Sequence, residues 1–115
     1  IVYPEQGATL DDRFVLVWGL AADGWGVSRV DVSLDGGGTW DAALLGDDAR
    51  DLLADLGVPN VPPGGLIWAI QREATSFHLA IRSRATDLAG NTEPLQPPVR
   101  VIIQHQRYWL PLVKE

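Results

Sequence analysis

Apolar and polar residues alternate along most of this chain. In 27–34, Val30, Val32 and Leu34 share one face, with Arg29, Asp31 and Ser33 on the other. In 77–86, Phe77, Leu79, Ile81 and Ala85 oppose His78, Arg82 and Arg84. Segment 99–104 sets Val99, Val101 and Ile103 against Arg100, Ile102 and Gln104, and 66–72 puts Leu66, Trp68 and Ile70 together. A period of two with one polar face marks half-buried antiparallel strands. Segment 14–20 breaks the rule, because both phases are apolar: Val15 and Val17 on one side, Phe14, Leu16, Trp18 and Leu20 on the other. Such a strand is either covered on its second face by the chain's own helix or tail, or it leaves an apolar stripe for docking.

One helix interrupts the pattern, near 48–56. Asp47 or Asp48 can cap it, Ala49, Leu52, Leu53 and Leu56 recur at helical spacing, and Gly57 suits a left-handed end. Pro59, Pro62 and Pro63 make 58–65 an extended connection. The strands expected are near Val2–Tyr3, then 13–21, 27–34, 39–45, 66–73, 77–86 and 98–104. About seven strands with turn signals between them predict an all-β, two-sheet sandwich over 1–104, with the helix as an insertion covering a sheet edge. Residues 105–115 form a tail, strap or linker. The expected core holds Val17, Val30, Val32, Leu34, Trp40, Trp68, Phe77, Leu79, Ile81, Val101 and Ile103.

Composition narrows the function. At 115 residues the chain is one domain's worth, and no apolar run approaches the roughly 20 residues of a membrane span. Twelve Gly and eight Pro without a period suit a turn-rich fold. A net charge of −6 argues against nucleic-acid binding, which needs a basic surface to release counterions. With no Cys there is no disulfide frame, thiol nucleophile or thiolate metal site. With no Met, Ile1 is not a translational start, so a piece of a longer protein is expected.

Two turn motifs stand out. Ser33-Leu34-Asp35-Gly36-Gly37-Gly38-Thr39-Trp40 supplies the glycines of a tight hairpin, and its Ser-x-Asp-x-Gly-x-Thr-Trp spacing resembles the structural Asp-box of sialidase propellers. Asp87-Leu88-Ala89-Gly90-Asn91 closes a strand, with Asp87 free to accept from nearby backbone N–H groups. Trp25-Gly26, the tract Val30 to Gly37, Thr39-Trp40, Ala43-Leu44, Trp68, and Arg84-Ala85 with Asp87, Gly90-Asn91 and Pro94 together resemble a bacterial immunoglobulin-like domain. The chain is especially similar to the C-terminal dimerisation domain of sulfite-oxidase-type molybdenum enzymes. The resemblance spans roughly 1–104 and implies an immunoglobulin-like (fibronectin-III-like) sandwich. It also implies a role in pairing catalytic subunits whose molybdenum-binding domain, with its cysteine ligand, is not in this piece.

Candidate sites are few. No metal and no cofactor are expected. Asp23, Asp87, Asn91 and Glu93 are the calcium candidates, because the loops 22–27 and 87–98 emerge at one end of such a sandwich; otherwise they are turn residues. Catalysis is not expected: His78 and His105 have no nucleophile elbow to serve, no carboxylates are paired, and the Gly36–Gly38 run leads into a strand rather than a helix. Arg29, Arg82, Arg84 and Arg100 lie outward on one sheet as a basic stripe, either neutralised across strands by Asp31 or docking an acidic partner. The tail run Tyr108 to Val113 resembles the aromatic-Leu-Pro-Leu ends of some bacterial exported proteins; it is a last strand or strap, or a sorting or interdomain contact.

The leading expectation is a non-catalytic spacer or docking module of a larger bacterial exported or cell-surface protein. Its partners would be neighbouring domains of the parent chain or another protein, with no nucleic acid and no membrane insertion. The second is the dimerisation domain of a molybdenum-cofactor oxidoreductase, a homodimer with the Trp18 stripe as candidate interface. The third is a carbohydrate-binding module using exposed aromatics such as Trp25.

Overall fold

A computed structural model describes residues 1–104 except 12, 22–25, 64, 75 and 95. Among the described residues, the strands are β1 (Thr9–Leu10), β2 (Phe14–Ala21), β3 (Val27–Ser33), β4 (Asp41–Ala42), β5 (Leu44–Leu45), β6 (Leu66–Glu73), β7 (His78–Asp87) and β8 (Val99–Ile103). One helix, α1 (Asp47–Asp55), lies between β5 and β6. Five strands form one sheet in the order β1-β8-β7-β3-β4, and three form the other in the order β2-β6-β5. This is the immunoglobulin-like two-sheet sandwich the alternation predicts.

The inward residues of both sheets make the main core: Val15 and Val17 from β2, Trp68 and Ile70 from β6, Val30 and Val32 from β3, Leu79 and Ile81 from β7, Val101 and Ile103 from β8. Three expected core residues sit elsewhere. Leu34 is half-buried at the core's margin. Trp40 is half-buried on the outer side, where Arg84 stacks on its ring. Phe77 is 51% exposed, because it lies one residue before β7, where the sandwich ends.

A second core explains the doubly apolar β2. Ala49 and Leu53 of α1 pack on Trp18 of β2 and on Ile67 and Ala69 of β6, so the helix covers the outer face of the three-stranded sheet. The insertion therefore caps a sheet face rather than an edge. Its cap differs from expectation: Gly46 occupies the N-cap without a side-chain hydrogen bond, and Asp47 and Asp48 fall in the first turn, where carboxylates complement the helix dipole. Gly57 ends the helix at φ 72°, its N–H on Ala54 O, while the Val58 N–H reaches Leu53 O. Arg50 then holds the proline connection through the carbonyls of Pro62 and Pro63, at 2.7 and 3.2 Å.

Two strands are divided between the sheets. The expected strand 39–45 splits into β4, paired with β3, and β5, paired with β6. The N-terminal segment meets β2 through Val2 and Tyr3, both bonded to Trp18, and then crosses to form β1, parallel to β8. Such switching closes the corners of a sandwich.

Candidate interaction surfaces

The 33–40 hairpin is held by its own side chains and by backbone bonds that join Leu34 and Gly36 to Ala80 of β7. Ser33 Oγ donates to Asp35 Oδ1 at 2.7 Å and accepts from the Gly37 N–H at 2.9 Å. The Asp35 carboxylate also takes the Thr39 N–H at 2.9 Å and the Thr39 hydroxyl at 2.8 Å. These donors, the Thr39 N–H first, hold Asp35 far below the usual carboxylate range. Gly36 and Gly37, at φ 78° and 114°, supply the positive angles the turn needs. All of the carboxylate's visible work is structural.

The Asp87 turn is built the same way. Asp87 Oδ1 accepts the N–H groups of Asn91 and Ala89 at 2.8 and 2.9 Å, and its other oxygen accepts from the Asn91 amide. The Asn91 N–H is the main cause lowering the Asp87 pKa, opposed in part by desolvation. Glu93 accepts the Ala85 N–H at 2.9 Å. Three of the four calcium candidates are thus brought close on the chain but spend hydrogen-bonding capacity on the fold, and Asp23 lies outside the described residues. Trp25, offered for glycan stacking, lies outside them too, as do His105 and the tail.

The arginine stripe is real, and one carboxylate lies within it. Asp31, 2% exposed, lies between Arg29 Nη2 at 2.7 Å and Arg84 Nε at 3.7 Å. Opposite pairing of Asp31 with Arg84 across β3 and β7 produces this triad. The Asp31 hydrogen bond is also the first cause raising the Arg29 pKa. Arg84 packs 4.0 Å above the Trp40 ring. Arg82 donates to Gln96 O at 2.8 Å. Arg100 and its neighbour Ile102 are exposed on β8. Among the described residues no helix covers this outer face of the five-stranded sheet.

Trp18, the fifth candidate, is not on the outside. It is 6% exposed, enclosed by α1, and its backbone is tied to Val2 and Tyr3 by three hydrogen bonds of 2.9–3.2 Å. The chain itself therefore covers the stripe at this point. Beside it a groove of about 680 Å³ remains open between the N-terminal segment, β2 and the end of α1, lined by Tyr3, Leu10, Leu16, Trp18, Leu56 and Val58 among others. Sequence reasoning missed this groove. Its β2 wall is the apolar stripe already singled out, while the other walls come from 2–3, 9–11, 56–59 and Gln71, which no local signal joins to it.

The comparisons decide between the readings. A family model, the Mo-co oxidoreductase dimerisation domain, matches residues 1–110. This chain belongs to that family. It is 33% identical to mitochondrial sulfite oxidase of Rattus norvegicus over 98 residues, covering 82% of this chain and 17% of that protein. It is 35% identical to the Macaca fascicularis enzyme over 99 residues, with the same shares. The sulfane dehydrogenase SoxCD of Paracoccus pantotrophus is 27% identical, covering 70% of this chain and 18% of that one, at a TM-score of 0.47. The chain spans about a sixth of the length of the sulfite oxidases it matches. The leading expectation, a fibronectin-like spacer of an exported or cell-surface protein, is overturned by the family match. The second expectation, a molybdenum-enzyme dimerisation domain, takes its place.

Proposed function

We propose that this dimerisation domain joins two copies of a sulfite-oxidase-type molybdenum oxidoreductase and carries no catalysis of its own. The family match through residue 110 is the observation that supports this reading. The molybdenum group does not fit these residues. The chain has no cysteine, and the described residues hold no group of three or more His, Asp or Glu side chains placed for a metal. The reaction belongs to the rest of the parent.

The copies meet through the outer face of the five-stranded sheet. A two-fold contact presents the same patch to itself, so a uniformly basic face would repel its twin. Asp31 offsets one of the two charges of Arg29 and Arg84 and so reduces that repulsion, and exposed Ile102 offers apolar area beside Arg100. Sedimentation equilibrium of the parent enzyme tests this. A dimer is expected, with dissociation in Arg100→Glu/Ile102→Asp. A monomeric parent would refute the function, and a dimer indifferent to both substitutions would refute the face.

A further inference from the structure

We infer that the apolar groove beside Trp18 is the seat of this chain's own segment Tyr108 to Val113. The inference is independent of how two copies meet.

The groove needs an occupant. Its floor is Leu16 and Trp18, and its rim exposes Val2, Tyr3 and Leu56 at 46%, 39% and 43%. Apolar surface gathered in a concave site is worth covering, at about 25 cal/mol per Å² removed from water. Its volume lies in the range of sites that enclose a few large side chains.

The path of the chain points to the occupant. β8 runs parallel to β1, with Ile103 opposite Leu10. The Gln104 N–H then donates to Leu10 O at 2.6 Å. Leu10 and the next residue, Asp11, both line the groove, so Gln104 stands at its edge, with β8 heading the same way as β1. Only His105, Gln106 and Arg107 separate Gln104 from the apolar block, a reach of about 10 Å at roughly 3.3 Å per extended residue. The block Tyr-Trp-Leu-Pro-Leu-Val has the apolar and aromatic chemistry of the groove. Charge agrees as well: Asp11 stands at the rim and Arg107 directly precedes the block. The family match also continues past β8 to Leu110.

The test is contact in the full chain. Nuclear Overhauser effects from the Trp109 indole to the Val58 and Leu56 methyl groups are expected within one molecule. A mixed sample of labelled and unlabelled chains separates those from contacts between molecules. Amide exchange gives the second readout: Trp109→Asp should speed exchange at Val2 and Tyr3 about ten- to a hundredfold, the factor that unburying one large side chain implies. Because the chain has no cysteine, Leu56→Cys/Leu110→Cys gives a clean third readout, an intramolecular disulfide on oxidation. Contacts found only between molecules would assign the groove to a second copy. No contact from Trp109, with unchanged exchange, would leave the groove without its tail. Either result overturns the inference.

Discussion

Truncating Leu53 to alanine measures whether α1 is the element that seals the second face of β2. Leu53 is 0% exposed and packs with Trp18, Ile67 and Ala69. The change removes three carbons, at about 0.8 kcal/mol each, or roughly 2.5 kcal/mol in transfer free energy. The cavity left behind adds about 24 cal/mol per Å³. A helix resting on one sheet can settle part of the way into that space, so the total should be about 3 kcal/mol, within the usual range for buried leucines. A domain of this length has roughly 6–17 kcal/mol in all, so the loss is large and measurable. Urea unfolding followed by far-ultraviolet circular dichroism gives the number, provided the slope is unchanged. Exposed Asp51 on the same helix is the control, and Asp51→Ala should stay within about 0.5 kcal/mol. A Leu53→Ala cost below about 1 kcal/mol would show that the helix does not cover the sheet.

Gly19→Ala should destabilise by about 1–3 kcal/mol, since a Cβ there would stand 2.7 Å from the Trp68 ring, itself fixed in the core; thermal melts with tryptophan emission should show it, and a neutral result would mean the ring can yield. The Asp35 pKa is lowered by folding, so its contribution is fully present above the ordinary value of 3.8 and is lost as pH falls below it toward the folded value. The stability gap between the wild type and Asp35→Asn should therefore shrink below about pH 4, and a gap constant from pH 7 to 3 would contradict the hairpin network. Arg84→Ala should cost more than Arg29→Ala, by roughly 0.5–1 kcal/mol, because Arg84 also stacks on Trp40 while the Arg29 side chain is 59% exposed. Equal costs in denaturant titrations would remove the stacking from the account.

Most of the sandwich is legible in the chain, and the failures have a common cause. Alternation located β3, β6, β7 and β8 within a residue or two, because a strand between core and solvent writes its period into the sequence, and a continuous apolar run located β2. Both turn motifs were readable for the same reason: their geometry is held by residues four positions apart, such as Asp35 with Thr39 and Asp87 with Asn91. Short pieces were not. β1 is two residues long and owes its existence to β8, ninety residues away. The split between β4 and β5 reflects two different partners, β3 and β6, which no local pattern names.

By itself, then, the sequence determined the period of each long strand, the single helix, the glycine turns and the likeness to one enzyme family, since these depend on neighbours along the chain. Only the tertiary structure decided what those elements do for the surface. The apolar stripe of β2 has two outcomes from sequence alone, and packing chose between them residue by residue. Leu53 buries Trp18, while Phe14 and Leu16 line a groove. Four arginines on one sheet read as a basic stripe until pairing across β3 and β7 set Asp31 between two of them. Burial and charge compensation are properties of contacts between distant segments. They follow from how two sheets and a helix close on one another, which strand periodicity does not encode.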